Sequence, residues 1–384
     1  MSDADVIVIG AGPAGLACAA QLGERGLRAS VLEKSDTVGP VWRRHYDRLH
    51  LHTDRGHSSL PGLPMPRGYP RYPSRDQVIA YLENYAAHFR LAPTFGCEVR
   101  MLRREAGLWH ADTTRGRCAA PQVVVATGWA DAPHRPTWPG QDDYRGSVIH
   151  SSEYRRPEPY RGQRVLVVGF GNSGGEIALD LADAGIDVTL AVRGPVRILP
   201  RDLLGLPILT WAIGQAWLPP RLADAINAPA IRLAIGPTRG LGLTIARKGP
   251  RRMIAEDHRV PLLDVGTLDR IRQGAIHVRG GIGHFTREGV AFVDPHGEGR
   301  TVPFEAVILA TGFRADLSRL LPQATDTLDN QGSPRITGMP TGVPGLFYCG
   351  QIPSPTGQLR EIGIEARRIA TFASRMLKER ADPA

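Results

Sequence analysis

Short apolar runs, each cut off by glycine, set the pattern of this chain. Val6-Ile7-Val8-Ile9 runs into Gly10, and Val165-Leu166-Val167-Val168 into Gly169. Val123-Val124-Val125 ends in Ala126-Thr127-Gly128, and Ala306-Val307-Ile308-Leu309 in Ala310-Thr311-Gly312. Runs without polar alternation predict strands buried on both faces, as in parallel sheets. The first run leads into a predicted helix over 13–26 and a strand over 28–32. The second leads into a helix start and a strand over 187–192. Gly345 to Gly350 reads as another strand ending in glycine. A helix from about Arg360 to Lys378 then closes against the first domain. Strand and helix in alternation predict an α/β fold with parallel sheets.

The residues just beyond the two strongest runs carry the candidate chemistry. Gly10-Ala11-Gly12-Pro13-Ala14-Gly15 and Gly169-Phe170-Gly171-Asn172-Ser173-Gly174 both match G-x-G-x-x-G after a strand and before a helix. Glycines there let backbone approach a pyrophosphate, and the helix start offers N–H groups and the positive end of its dipole. Two such loops predict two Rossmann-like dinucleotide-binding domains, with electrons passing between two bound dinucleotides. Glu33, followed by Lys34, lies 18 residues beyond Gly15, where an acid accepts hydrogen bonds from a ribose diol and repels a 2′-phosphate. That suits FAD or NAD(H). The second site has Arg193 at the matching place, 19 residues beyond Gly174, where a guanidinium can grip a 2′-phosphate. That suits NADPH. Asn172 and Ser173 are placed either to contact that pyrophosphate or to cap the helix.

The positions of these motifs divide the chain. Residues 1–160 carry the first site, 161–305 the second, and 306–384 return to the first, which makes the first domain discontinuous. The two Ala-Thr-Gly turns are where the chain passes from one domain into the other. Residues 59–73, rich in proline and glycine, read as an irregular loop that the first domain must order. About 203–236 reads as a helical insertion, which either covers a site or forms a subunit contact in a homo-oligomer.

Composition changes this picture little. A chain of 384 residues predicts two domains, and 42% hydrophobic with 22% charged residues is globular. The net charge is +9, yet Lys34, Lys248 and Lys378 are the only lysines, and the arginines are scattered. No basic stripe or module points to nucleic acid. The positive field can instead draw in an anionic cofactor or an acidic substrate. Cys18, Cys97, Cys118 and Cys349 form no C-x-x-C, which argues against a dithiol centre or zinc site and for a reducing, cytoplasmic setting. With a strand beginning at Val6 there is no room for a signal peptide. The uncharged run from Leu203 to Leu218 is too short for a bilayer span, which needs about 20 residues. A patch lying on a membrane surface ranks below a site cover or a subunit contact as the use of this insertion.

Between the two glycine loops lies Tyr144-Arg145-Gly146-Ser147-Val148-Ile149-His150-Ser151-Ser152-Glu153-Tyr154. It is similar to F-x-G-x-x-x-H-x-x-x-[FY], the identifying pattern of the class B flavin-dependent monooxygenases, with tyrosine for the first phenylalanine. Trp42 to His52, Tyr69 to Ser74, Tyr81 to Ala86 and Val260 to Gly266 resemble the plant YUCCA enzymes within that class. The resemblance spans nearly the whole chain. It implies FAD in the first site, NADPH in the second, a small-molecule substrate and O2. It also implies oxygen transfer through a flavin C4a-(hydro)peroxide, with indole-3-pyruvate, an aryl α-keto acid, losing CO2. N- or S-oxygenation of a small metabolite is the alternative, and a non-oxygenating NADPH-flavin reductase stands behind both. Three stretches depart from the YUCCA pattern: Thr53-Asp54-Arg55, Gly350 to Thr356, and Leu203 to Gly236.

The cofactor carries the hard chemistry in such enzymes, so no catalytic side chain stands out. The candidates are Trp42, His50 and His52. Trp42 and Arg43 come after the first site's second strand, and are expected beside the flavin, or Trp42 simply packs. His50 and His52 alternate along an extended stretch, so only one can face inward. That one approaches the isoalloxazine ring or NADP+, or is structural. Ala126, Thr127, Gly128, Ala310, Thr311, Gly312, Gly350 and Gln351 complete the expected cofactor contacts. His150 is expected to hold the linker between domains.

Overall fold

The computed structural model describes residues 4–129, 132–293 and 301–381. In chain order the strands that matter are β1 (Val6–Ile9), β2 (Ala29–Leu32), β3 (Gln122–Val125), β4 (Ser147–His150), β5 (Arg164–Val168), β6 (Asp187–Ala191), β7 (Ile276–Arg279), β8 (Ala306–Leu309) and β9 (Leu346–Tyr348). The helices are α1 (Pro13–Gly23), α2 (Asn172–Asp183), α3 (Ile208–Gly214), α4 (Pro220–Ile235) and α5 (Gln358–Ala381). The chain forms two compact units, 1–43 with 53–132 and 314–384, and 44–52 with 133–313.

The first unit is built on a parallel sheet in the order β2-β1-β3-β9. Ile7, Val8, Val123, Val124 and Phe347 are fully buried, as runs without alternation require. One face carries α1 and α5, which pack on each other. The other is covered by an antiparallel sheet over Val99–Glu105, Leu108–Thr113 and Gly116–Ala120, from which Leu102 and Trp109 join the core. The loop over 59–73 is irregular, as expected, and tyrosines order it. Tyr81 Oη accepts from Leu60 N–H and donates to Leu63 C=O, both at 2.7 Å, and Tyr85 Oη donates to Pro61 C=O. Burial pushes the Tyr81 hydroxyl up to about 12, which keeps it a donor at neutral pH.

The second unit repeats the design with a parallel sheet in the order β7-β6-β5-β8-β4. Both sheets make the fold α/β with two Rossmann-like units, the first discontinuous in sequence. The unit boundaries differ from 160 and 305. β4 and β8 add to the second sheet, so that unit runs from Pro133 to Phe313 and also takes in 44–52. A strand of four residues does not announce which sheet it joins. The first helix also ends at Gly23 rather than 26, because Leu27 N–H returns to Leu22 C=O and Gly26 takes a positive φ of 76°.

The motif Tyr144 to Tyr154 is a bracket inside this second unit. Tyr144 Oη donates to Phe304 C=O at 2.9 Å, ahead of β8. A Cβ on Gly146 would stand 2.3 Å from Tyr144 Oη and 2.7 Å from Glu305 O, so only glycine lets the two segments close. His150 Nε2 lies 3.0 Å from Gly312 O, and Ser152 N–H donates to His150 Nδ1. His150 thus holds the turn at which the chain leaves the unit, as the sequence suggested. Tyr154 is fully buried and donates to Asp180 of α2.

Residues 203–236 contain α3 and α4. On α4, Ala223, Ile231 and Ile235 face inward while Leu222, Ile226 and Leu233 are exposed. No helix among the described residues is long and apolar enough to cross a membrane.

Candidate functional site

In each unit the glycine loop links the end of the first sheet strand to the helix that comes after it, at the carboxyl edge where open α/β sheets bind ligands. The two loops match position by position. The first glycines, Gly10 and Gly169, both have φ of +107°. A Cβ on Gly10 would sit 2.6 Å from Ala126 O, and one on Gly169 2.5 Å from Ala310 O. The third glycines are held as tightly: a Cβ on Gly15 would meet Gly10 O at 1.8 Å, and one on Gly174 would meet Gly169 O at 2.1 Å. These four glycines are required by the protein's own packing. The middle ones, Gly12 and Gly171, are not. A Cβ on either meets nothing within 4 Å, and both backbones are extended in φ and ψ ranges open to any residue.

Gly12 and Gly171 are also the N-caps of α1 and α2, and neither helix start has a side-chain cap. Each helix therefore opens onto free space with its first N–H groups uncapped by side chains, the arrangement that accepts a pyrophosphate. Asn172 and Ser173 do not cap α2. Asn172 is drawn instead to the YUCCA-like stretch 260–266: its Oδ1 accepts from Leu263 N–H at 2.7 Å and its Nδ2 donates to Pro261 C=O at 3.3 Å.

Around the first loop, residues far apart in sequence converge. Glu33 is buried, and its two carboxylate oxygens accept from Ala11 N–H at 2.7 Å and Ser35 N–H at 2.8 Å. The acid after β2 is thereby fixed against the glycine loop. Gln351 lies with its amide 3.2 Å from Thr127 Oγ1, and turned end for end it accepts from Gly128 N–H as well. Gly350 packs on α1 and α5: a Cβ there would stand 3.1 Å from Ala14 Cβ and 3.0 Å from Ile362. Trp42 and Arg43 end a helical turn over Pro40–Arg43, where Arg43 donates to Val38 C=O and ion-pairs with Glu83. Lys34 is exposed.

Cys18 and Cys349 meet in this unit's core despite their separation in sequence. Both are free and fully buried; contact with Cys18 together with burial pushes the Cys349 thiol well up, so the pair is inert packing.

Around the second loop, Arg193 is exposed just past β6, its stem lying over Gly281, where a Cβ would be 3.3 Å from Arg193 Cγ. Thr311 Oγ1 donates to His134 C=O, and His134 N–H donates to Gly312 C=O. The two histidines of 44–52 part as expected. His50 is exposed, with Nδ1 2.7 Å from Arg48 O. His52 turns inward, with Nε2 2.7 Å from Glu176 Oε1.

Sequence reasoning missed the partners of that segment. Glu176, Asp180 and Asp183 stand at i, i+4 and i+7, a single face of α2. Glu176 is buried and also accepts from Tyr46 Oη at 3.1 Å. Asp180 accepts from Tyr154, and burial pushes its carboxyl up. Asp183 pairs with Arg48 at 2.6 Å and Arg270 at 2.7 Å; burial opposes them, but the two guanidinium ions hold its carboxyl down. The three acids were a visible stripe; three of the side chains they bind, Tyr46, Arg48 and His52, lie more than a hundred residues earlier.

Comparison with known proteins places this architecture. A family model described as pyridine nucleotide-disulphide oxidoreductase matches residues 7–200. Indole-3-pyruvate monooxygenase YUCCA1 of Oryza sativa subsp. japonica is 42% identical over 86% of this chain and 82% of its own length. Probable indole-3-pyruvate monooxygenase YUCCA1 of Arabidopsis thaliana is 38% identical over 88% and 81%. Among solved structures, a flavin-containing monooxygenase from Stenotrophomonas maltophilia superimposes with a TM-score of 0.73 at 24% identity, covering 98% of this chain and 99% of that one.

Proposed function

We propose that this chain, which belongs to the YUCCA family of flavin-dependent monooxygenases, oxidatively decarboxylates an aryl α-keto acid such as indole-3-pyruvate, using FAD, NADPH and O2. The observation that carries this is identity of 42% over most of the chain to an enzyme named for that substrate. The pair of loops whose middle glycines face open space supports two dinucleotides bound at once.

FAD belongs in the first unit. Gly10, Gly12 and Gly15 would receive its pyrophosphate, Glu33 its ribose hydroxyls, and Thr127, Gly128, Gly350 and Gln351 would line the carboxyl edge of the sheet. NADPH belongs in the second, with Gly169, Gly171 and Gly174 at the pyrophosphate and Arg193 at the 2′-phosphate. Bound flavin would supply the redox chemistry and the activation of O2, with NADPH as the electron donor. The chain's own part is to hold both dinucleotides by backbone N–H groups and to keep their phosphates on helix starts. No side chain is called on as a nucleophile. Cytoplasmic location is part of the same family reading.

Purified holoenzyme given indole-3-pyruvate and NADPH should release CO2 and a carboxylic acid one carbon shorter, read by mass spectrometry. Turnover of amines or sulfides with keto acids inert would replace this reading with N- or S-oxygenation. NADPH oxidation with no oxygenated product from any of them would leave a reductase.

A further inference from the structure

The segment 44–52 is clasped along the acidic face of α2. The start of this helix takes the second dinucleotide in the proposed function, on which this inference rests. Arg48 engages Asp183 at 2.6 Å and Asp180 at 3.6 Å. Nearer the helix start, Glu176 is only 6% exposed and holds Tyr46 by one oxygen and His52 by the other. Glu176 is the fifth residue of α2, about one turn from the uncapped Gly171 end. A carboxylate there sets a negative charge close to the helix start proposed to take the pyrophosphate.

We propose that His52 is a positioning residue for the nicotinamide dinucleotide: acting through Glu176, it offsets this buried negative charge when protonated and so makes the affinity of the second site depend on pH. Imidazole is the one group in the cluster whose ordinary titration falls near neutrality. The other groups facing it do not change charge there. Burial, then Glu176 itself, pushes the Tyr46 hydroxyl well above its usual range, leaving it a neutral donor. Arg48 stays cationic. Asp180 is committed to Tyr154 and Arg48, and Asp183 to Arg48 and Arg270. His45 is a second imidazole, edge-on to the Tyr46 ring with centroids 6.2 Å apart. On His52, Nδ1 is buried and meets no partner among the described residues, so Glu176 alone fixes the ring.

The test is the dissociation constant of NADP+ for FAD-loaded enzyme, by calorimetry between about pH 6 and pH 8.5, spanning the imidazole titration. The 2′-phosphate of NADP+ titrates in the same way for every variant, so each curve is taken relative to the double variant His52→Gln with Glu176→Gln, which carries neither charge. Wild type should match the double variant at the acid end and bind about threefold or more weakly at the alkaline end. His52→Gln keeps a hydrogen bond to Glu176 but never a charge; it should bind weakly by the same factor throughout. His45→Gln should keep the wild-type profile. Parallel curves for wild type, His52→Gln and the double variant overturn the proposal, since a packing role alone shifts affinity equally at every pH. Should His52→Gln alone lose FAD or its folded baseline, the wild-type and double-variant curves decide the matter. Gly171→Val separates this from the site assignment: it should abolish NADP+ binding, and undiminished binding would overturn the assignment itself.

Discussion

At the scale of single residues, the glycines of the two loops fall into two classes with different consequences. Gly15→Ala puts a methyl where Gly10 O already stands at 1.8 Å, and forced overpacking costs about 1–3 kcal/mol. A Cβ on Gly12 meets no protein atom within 4 Å, so the fold should survive Gly12→Val while FAD is lost. Melting temperature and flavin absorbance, read together, check both: Gly15→Ala should lower stability, and Gly12→Val should give colourless protein that still unfolds cooperatively. If Arg193 grips the 2′-phosphate as proposed, Arg193→Ala removes a charge-assisted hydrogen bond worth about 1.5–3 kcal/mol, roughly ten- to a hundredfold in affinity. Flavin-reduction rates with NADPH and NADH should lose most of their difference. Equal rates already in the wild type would refute the 2′-phosphate role. The loop glycines were legible because spacing alone states their chemistry. The role of Glu176 was not, since its two partners reach it from a segment more than 120 residues earlier, and no local pattern encodes that approach.

At the scale of elements, the strands were the plainest feature of the sequence: each four-residue apolar run is a fully buried strand of a parallel sheet. What the runs did not state was which sheet each joined, which is why β4 and β8 moved the boundaries. His150 at the end of β4 now has a stated duty. Its neutral form donates from Nε2 to Gly312 C=O and accepts at Nδ1 from Ser152 N–H; a second proton would break the latter bond. Burial, ahead of the opposing Gly312 bond, pushes its pKa down. The unfolded chain then binds the proton more readily than the folded one. The stability His150 contributes is full above about pH 6.5, its unfolded value, and is lost as pH falls through its lower folded value. Urea midpoints between about pH 7.5 and pH 5 should fall less steeply for His150→Gln than for wild type. Parallel profiles would mean that other groups carry the acid sensitivity.

At the scale of the whole molecule, the sequence already indicated two dinucleotide sites and the family, because both rest on motifs that survive without knowledge of contacts. Substrate choice rests on nothing so local. The stretches that differ from the plant pattern, 53–55, 203–236 and 350–356, contain no residue whose type dictates a keto acid. The central claim is therefore tested most directly on the product. Holoenzyme, NADPH and indole-3-pyruvate are incubated under 18O2 with catalase present, and the acid is analysed by mass spectrometry. The account predicts CO2 release and an acid one carbon shorter with one labelled oxygen, formed at a rate that tracks NADPH consumption and is unchanged by catalase. Acid formation that catalase abolishes, or NADPH consumption with no labelled acid, would contradict it.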